Sequence, residues 1–460
     1  MKKALSILAI VSLTFLSACE GIFKFASTPT PTATATATPT RTATPTTTAT
    51  LTPTITPTAT PRIKNRISGL DLETLLQDNL DNETGVSKEG LQALLEQISP
   101  YTDWIRTYSI QEDTTYIAVT AHELGLKFAA TASLGSKLAD NASQMEALID
   151  LAQSGYVDLA IIGNETLLRG DLTARELQVY IDWFKSAVPN VRVTTTDAWS
   201  ELKQYSDLIS VLDVVAVNID PNWEESTVDE AMIAMEDWYL DALDRVTKTN
   251  SQKEIIIAET SWPACGEVGD TANQAAFFNA FVAFAQQLDI QYFWFEAFDK
   301  PEKTGDPEGA AACWGLWDDE GHLKTGMENT FNGLFSENTR SPKIHITNLP
   351  AKDETGKLSG IVLNVDPDAY RVVVYIYVPG ANGWWVKPQF NSPYTDIQDD
   401  GRWSTSIFTG GIDDQATDVA AFVIPNDYPA PLAAGAISLP AELPKNAIAS
   451  TIENRKSHNY

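Results

Sequence analysis

Histidine and cysteine are scarce in this 460-residue chain, with four histidines, at 122, 322, 345 and 458, and three cysteines. His122-Glu123 lacks the second histidine of a zinc-binding helix, and no cysteine–histidine cluster is present. A nucleophile elbow, a phosphate loop and a dinucleotide fingerprint are missing too. These gaps argue against a metalloenzyme, a Ser–His hydrolase and a nucleotide-dependent enzyme. No metal or cofactor is expected, although a calcium site made of carboxylates and carbonyls stays open. Positive charge is also short. The chain has 32 basic against 61 acidic residues, a formal net charge of -29. That balance disfavours nucleic acid and anionic lipid surfaces as partners.

Long hydrophobic runs are missing as well. The apolar run from Ala4 to Phe15 is too short for a comfortable membrane span. Lys2 and Lys3 precede it and Leu16-Ser17-Ala18-Cys19 follows, which is the pattern of an export signal. A cysteine directly after Leu-Ser-Ala resembles the bacterial lipoprotein signal. In that pattern residues 1–18 are removed and Cys19 is acylated. The alternative is an ordinary signal peptide with a chance cysteine. The lipid would place the protein in the cell envelope or at the cell surface, held to the membrane. Residues 19–62 form the next segment, almost wholly Thr, Pro and Ala from Thr28 to Pro61. Such a stretch buries no core and extends with polyproline character, reaching roughly 100 Å. It reads either as a stalk or as a passive linker.

With Cys19 committed to lipid, Cys265 and Cys313 remain as an even pair in an oxidising compartment. Both follow strand candidates, the seventh and eighth below, whose loops are neighbours. A Cys265–Cys313 disulfide is expected, with two free thiols as the alternative.

The remaining residues, about 400, exceed one ordinary core and suggest two domains. In the first, residues 63–340, short apolar runs recur near 66–71, 104–109, 127–133, 157–163, 191–196, 213–218, 254–259 and 291–296. Their nearly continuous apolar character suits strands covered on both faces. Helical patterns lie between them: Ser87 to Ile98, Thr173 to Phe184 with a capping box, and Asn273 to Leu288. Eight alternations predict an α/β fold, a closed (β/α)8 TIM barrel, with an open doubly wound sheet as the alternative. In such a barrel the C-terminal strand ends form the reactive rim. Polar or aromatic residues near those ends are Arg106 and Tyr108, Asn164 and Glu165, Thr196 and Trp199, Asn218, Glu259 and Trp262, and Glu296.

Breaking an acetal needs a proton for the leaving oxygen and electron density for the positive sugar carbon. A protonated carboxyl does the first and an ionised one the second. Glu165 and Glu259 end the fourth and seventh strands, on opposed sides of an eight-strand ring. A gap near 5 Å would mean retention through a covalent intermediate, and a wider gap inversion. Strand-end glutamates also cap helices or pair with arginine, so spacing leaves a structural role for either residue equally open.

Ordered motifs sharpen this. Ile105-Arg106-Thr107-Tyr108-Ser109, Gly163-Asn164-Glu165 and Thr195-Thr196-Asp197-Ala198-Trp199 are followed by Glu259-Thr260-Ser261-Trp262-Pro263. Phe293 to Pro301 and Trp314-Gly315-Leu316-Trp317 complete the series. The stretch from 66 to 337 resembles family 17 glycoside hydrolases, the β-1,3-glucanases and related glucanosyltransferases. The resemblance implies Glu165 as acid/base and Glu259 as nucleophile with retention, assisted by Asn164 and Tyr108. Two departures bear on substrate. The run Asn218-Ile219-Asp220-Pro221 carries Asp220 where the family has an aromatic, with Trp223 nearby as a substitute platform. Asp299-Lys300 lacks the usual second acid. Trp199, Trp223, Trp262, Trp314 and Trp317 all fall in rim segments, and two or three of them are expected to line the cleft.

Residues 341–442 switch to period two, with strands at Tyr370–Val378, Gly383–Pro388 and Gly401–Ile407. They predict an all-β sandwich whose Trp384, Trp385, Trp403 and Tyr394 either bind carbohydrate or pack inward, the latter favoured. Residues 443–460 read as a polar tail. The whole predicts a lipid-anchored, monomeric retaining hydrolase or transglycosylase of β-glucan, with a non-catalytic glycan-binding lipoprotein as the alternative.

Overall fold

A computed structural model describes residues 63–72, 87–111, 113–220, 227–248, 253–266, 269–301 and 310–455. The export signal, Cys19, the Thr/Pro segment and Trp223 lie outside them.

The eight expected strands are present as β1 (Ile67–Asp71), β2 (Thr102–Thr107), β3 (Lys127–Ala132), β4 (Leu159–Asn164), β5 (Arg192–Ala198), β6 (Val215–Asn218), β7 (Ile255–Thr260) and β8 (Gln291–Trp294). Each pairs in parallel with the next, and β8 returns to β1 at Leu70 and Trp294, closing the barrel. Alternation along the strands separates two packed layers. Trp104, Ala129, Leu159, Ile161, Ala216, Ile256, Ala258 and Phe293 fill the barrel interior. Their sequence neighbours, such as Ile105, Phe128, Ile162, Val217 and Ile257, join the core shared with the surrounding helices. Gly69 admits the Phe293 ring, since a Cβ there would overlap it.

The helices start where the sequence places their caps. Ser87 accepts the Gly90 N–H at 3.1 Å. Thr173 and Glu176 form the reciprocal capping box, and Leu177, Ile181 and Phe184 are buried on the inner face of that helix. Each such cap stabilises its helix by about 1 kcal/mol.

The second domain holds two antiparallel sheets. One is ordered β14 (Arg402–Ser406), β10 (Lys357–Leu363), β9 (Lys343–Asn348). The other runs β16 (Ala434–Ala436), β12 (Gly383–Lys387), β11 (Tyr370–Val378), β15 (Asp418–Pro425), β17 (Ala449–Asn454), with β13 (Tyr394–Asp396) also on β11. Between them lies a core containing Trp403, Val372, Val374, Ile376 and Val423, with Trp385 packed against it. The outer face of the larger sheet is covered too, by Ala430, Ala433 and Leu443, and Trp384 and Tyr394 pack there. Trp403 is thus buried, whereas Trp384, Trp385 and Tyr394 are half-buried. The reading of 443–460 as a tail needs correction. Residues 449–454 form β17 on β15, and the Arg455 guanidinium donates to the carbonyls of Pro350, Ala351, Glu354, Asp414 and Ala416.

The two domains are joined through Glu236 on the helix Val228–Lys248. This buried carboxylate meets Arg340 at 2.7 Å, Lys343 at 3.2 Å and Asn364 Nδ2 at 3.1 Å.

Candidate active site

The strand ends bring most of the expected polar residues together. Arg106 ends its side chain in the barrel mouth, fully buried. It donates to the Ala258 carbonyl, to Asn164 Oδ1 at 2.9 Å and to Thr196 Oγ1 at 3.3 Å. Its guanidinium also lies 3.5 Å from Asp71 and 3.8 Å from Glu259. Asn164 Oδ1 further accepts Thr196 Oγ1 at 2.5 Å and Asn218 Nδ2 at 3.3 Å. Those three bonds fix the amide oxygen in the network and leave the Asn164 NH2 group as the end that can donate elsewhere.

Asn218 Nδ2 lies 3.2 Å from Glu165 Oε1 and 3.4 Å from Glu259 Oε2. These two carboxylate oxygens are therefore no further apart than the sum of those distances, about 6.6 Å. Glu165 is aimed by a bulge. The β4–β5 register shifts between Ile161 and Asn164, Gly163 has φ +77° and Glu165 itself φ +52°. Glu259 lies near the end of β7, held between Ala258 and the buried Thr260.

The electrostatics are those of crowded carboxyls. Tyr108 OH is 2.9 Å from Glu259 Oε2 and 2.7 Å from Asp71 Oδ2. One phenolic proton can be donated to only one of these two oxygens at a time. Glu259 is raised well above the usual carboxylate range, first by burial, then by the charges of Glu165 and Asp220, with Arg106 opposing. Asp220 is pushed up to about 8 by burial and by the charges of Glu165 and Asp71. Asp197 is pushed up to about 7, mainly by burial and against its bond from the Leu167 N–H. Tyr108, Asn218 and Arg106 all converge on Glu259 Oε2. That oxygen is the best seat for negative charge once a proton is shared elsewhere in the cluster.

Other expected residues sit elsewhere. Trp199 is 3% exposed, with its Nε1 donating to Asp241 at 2.8 Å. Trp262 is 1% exposed and packs on Phe277 at 5.4 Å. Trp317 is buried against Tyr101, Phe298 and Phe331. None of the three offers an open indole face to a sugar, because the helix layer needs their area. Among the described residues, Trp314 alone of the group is half-buried, and it packs on the half-buried Phe295, which packs on Tyr108. Glu296 is not open to the cleft either. It is buried in an ion pair with Lys300. The expected disulfide joins Cys265 to Cys313, Cα to Cα 5.7 Å, beside Trp314.

Asp71 and Phe295 went unremarked in the sequence as site residues. Asp71 carried the same signal as the others, a polar group at a strand's C-terminal end, and Phe295 hid in an aromatic run. Among the described residues no group of three His, Cys, Asp or Glu side chains is arranged to hold a metal.

The sequence pattern of the BtgE/BtgC glycoside hydrolase domain matches residues 78–315, about half of the chain. A probable glucan endo-1,3-beta-glucosidase, btgC, of Aspergillus terreus is 30% identical over 196 residues, covering 37% of this chain and 30% of that protein. The glucan 1,3-beta-glucosidase BGL2 of Candida albicans is 27% identical over 199 residues, covering 38% of this chain and 64% of its own. The chain thus spans less than two thirds of either relative. A glycoside hydrolase family 17 beta-1,3-glucanosyltransferase from Rhizomucor miehei shares the barrel fold. Its TM-score is 0.50 at 22% identity, over 57% of this chain and 96% of that one. With the matching pattern spanning half the chain, from before β2 to beyond β8, this protein belongs to the BtgE/BtgC glycoside hydrolase domain family.

Proposed function

We propose that the protein cleaves β-glucan, β-1,3-linked, by double displacement with retention, passing the sugar to water or to another sugar hydroxyl. Glu259 attacks the anomeric carbon and Glu165 protonates the leaving oxygen, then activates the incoming hydroxyl. One observation carries this reading: both carboxylates lie within hydrogen-bond reach of the single nitrogen of Asn218. The donor set on Glu259 Oε2 supports its role as the anion. Arg106 and Thr196 act by holding Asn164, whose NH2 group meets the sugar, while Phe295 and Trp314 supply ring faces. The enzyme works as a monomer, tethered to the membrane through acylated Cys19 and displayed at the cell envelope.

The test is turnover of laminarin-type oligosaccharides with products followed by NMR. A first-formed β-anomer that is lost in Glu259→Ala supports the reading. A first-formed α-anomer, or undiminished turnover in Glu259→Ala or Glu165→Gln, ends it. Acyl-chain mass on the mature N-terminal peptide tests the anchor, and an unmodified Cys19 removes it.

A further inference from the structure

Asp197, near the end of β5, takes no part in the chemistry above and yet is fully buried. Its Oδ2 accepts the Leu167 N–H at 2.7 Å. Its Oδ1 accepts the N–H groups of Leu168 at 3.3 Å and Ala198 at 3.0 Å. Among the described residues no cation pairs with it.

Leu167 and Leu168 belong to the turn that follows Glu165. In that turn the Glu165 carbonyl accepts the Arg169 N–H at 3.0 Å, and the Leu167 carbonyl accepts that of Gly170 at 3.0 Å. The first N–H groups of such a helical turn have no partner inside it, and an acidic side chain normally caps them from the preceding residue. Here the cap comes from the neighbouring strand instead. The turn also carries a non-glycine residue, Glu165, at φ +52°. A backbone in that region persists only where surrounding bonds hold it. Two such sets of bonds come from β5: the Glu165 N–H donates to the Thr196 carbonyl at 2.9 Å, and Asp197 fixes Leu167 and Leu168.

We propose that Asp197 is a positioning residue for Glu165, tying down the turn so that the Glu165 carboxyl stays aimed at Asn218 and the scissile oxygen. The proposal rests on the reading of Glu165 as acid/base. It makes Asp197 matter for proton delivery rather than for sugar binding or for attack by Glu259.

The leaving group separates these roles. A laminari-oligosaccharide expels a sugar alkoxide that needs Glu165's proton, whereas a 2,4-dinitrophenyl β-laminaribioside expels a phenolate that does not. The value of kcat/KM reports the first displacement for both. In Asp197→Asn, kcat/KM for the oligosaccharide is expected to fall about 10- to 100-fold, within the reach of lost general acid catalysis. The aryl substrate should be nearly unaffected, and Glu165→Gln should show the same selectivity. Asp197→Ser, which keeps one acceptor for the turn, serves if the asparagine variant does not fold. Equal losses on both substrates, or no loss on either, overturn the positioning role while leaving Glu165 untouched. If Glu165→Gln itself shows no selectivity, the acid/base reading fails and the positioning role falls with it.

Discussion

The Tyr108 hydroxyl lies 2.9 Å from Glu259 Oε2. A donor on a carboxylate favours its charged form, and a hydrogen bond to a charged group contributes about 1.5–3 kcal/mol. Tyr108→Phe removes that donor while keeping the ring that packs on Phe295 and lies over Arg106. In the proposed mechanism kcat/KM requires Glu259 ionised, so the acid limb of its pH profile is expected to move to higher pH, with a loss of about tenfold or more at low pH. An unmoved limb would dissociate Tyr108 from the charge on Glu259.

Stability should fall as pH rises. Asp197 sits at about 7 and Asp220 at about 8 in the fold, against about 4 for an aspartate in an unfolded chain. Each therefore binds its proton more tightly when folded. The favourable contribution is complete below about pH 4 and is lost as pH rises through about 7 to 8. Calorimetric melting between about pH 5 and 8.5 should show a declining Tm, and Asp220→Asn should reduce the decline. A Tm that climbs over this range would contradict the burial of these carboxyls as acids.

The Cys265–Cys313 bridge closes a separation of 48 residues. In the chain-entropy account a loop of that size is worth about 4 kcal/mol. Replacing both cysteines by serine is expected to lower Tm and, because Cys313 precedes the Trp314 platform, to raise KM for oligosaccharides more than it lowers kcat. Melting curves and initial rates on the double variant check both effects.

Glu236 answers to two cations, Arg340 at the end of the barrel domain and Lys343 just across the domain boundary. Truncation to alanine strands the mostly buried Arg340 and should cost about 3–5 kcal/mol. Scanning calorimetry is expected to resolve the single transition into two, the barrel and the β domain melting apart. One cooperative peak at an unchanged temperature would mean that the domains are held by other contacts.

The barrel was legible because its strands are short, apolar and evenly spaced, and because parallel sheets bury both faces. Residues 157–163 and 254–259 were placed within two residues of β4 and β7. The convergence of Arg106, Asn164, Thr196, Asn218 and the two glutamates followed from a general rule about strand ends. What was not legible was side-chain direction. Trp199 and Trp262 lie in rim segments by number but rotate into the helix layer, where Asp241 and Phe277 receive them. Periodicity breaks down just past a strand end, so the two outcomes look alike in sequence. Residues 449–454 were misread for a related reason: β17 is an edge strand with a largely exposed, polar face, and its pairing with β15 leaves little apolar signature.

The inward turn of those tryptophans takes their ring faces away from the barrel mouth. Among the described residues, the half-buried Phe295 and Trp314 are the ring faces it presents beside Tyr108. On the proposed glucan these two rings would form one stacking face next to the paired carboxyls, so that Phe295→Ala or Trp314→Ala loosens the sugar seated there rather than one further along the chain.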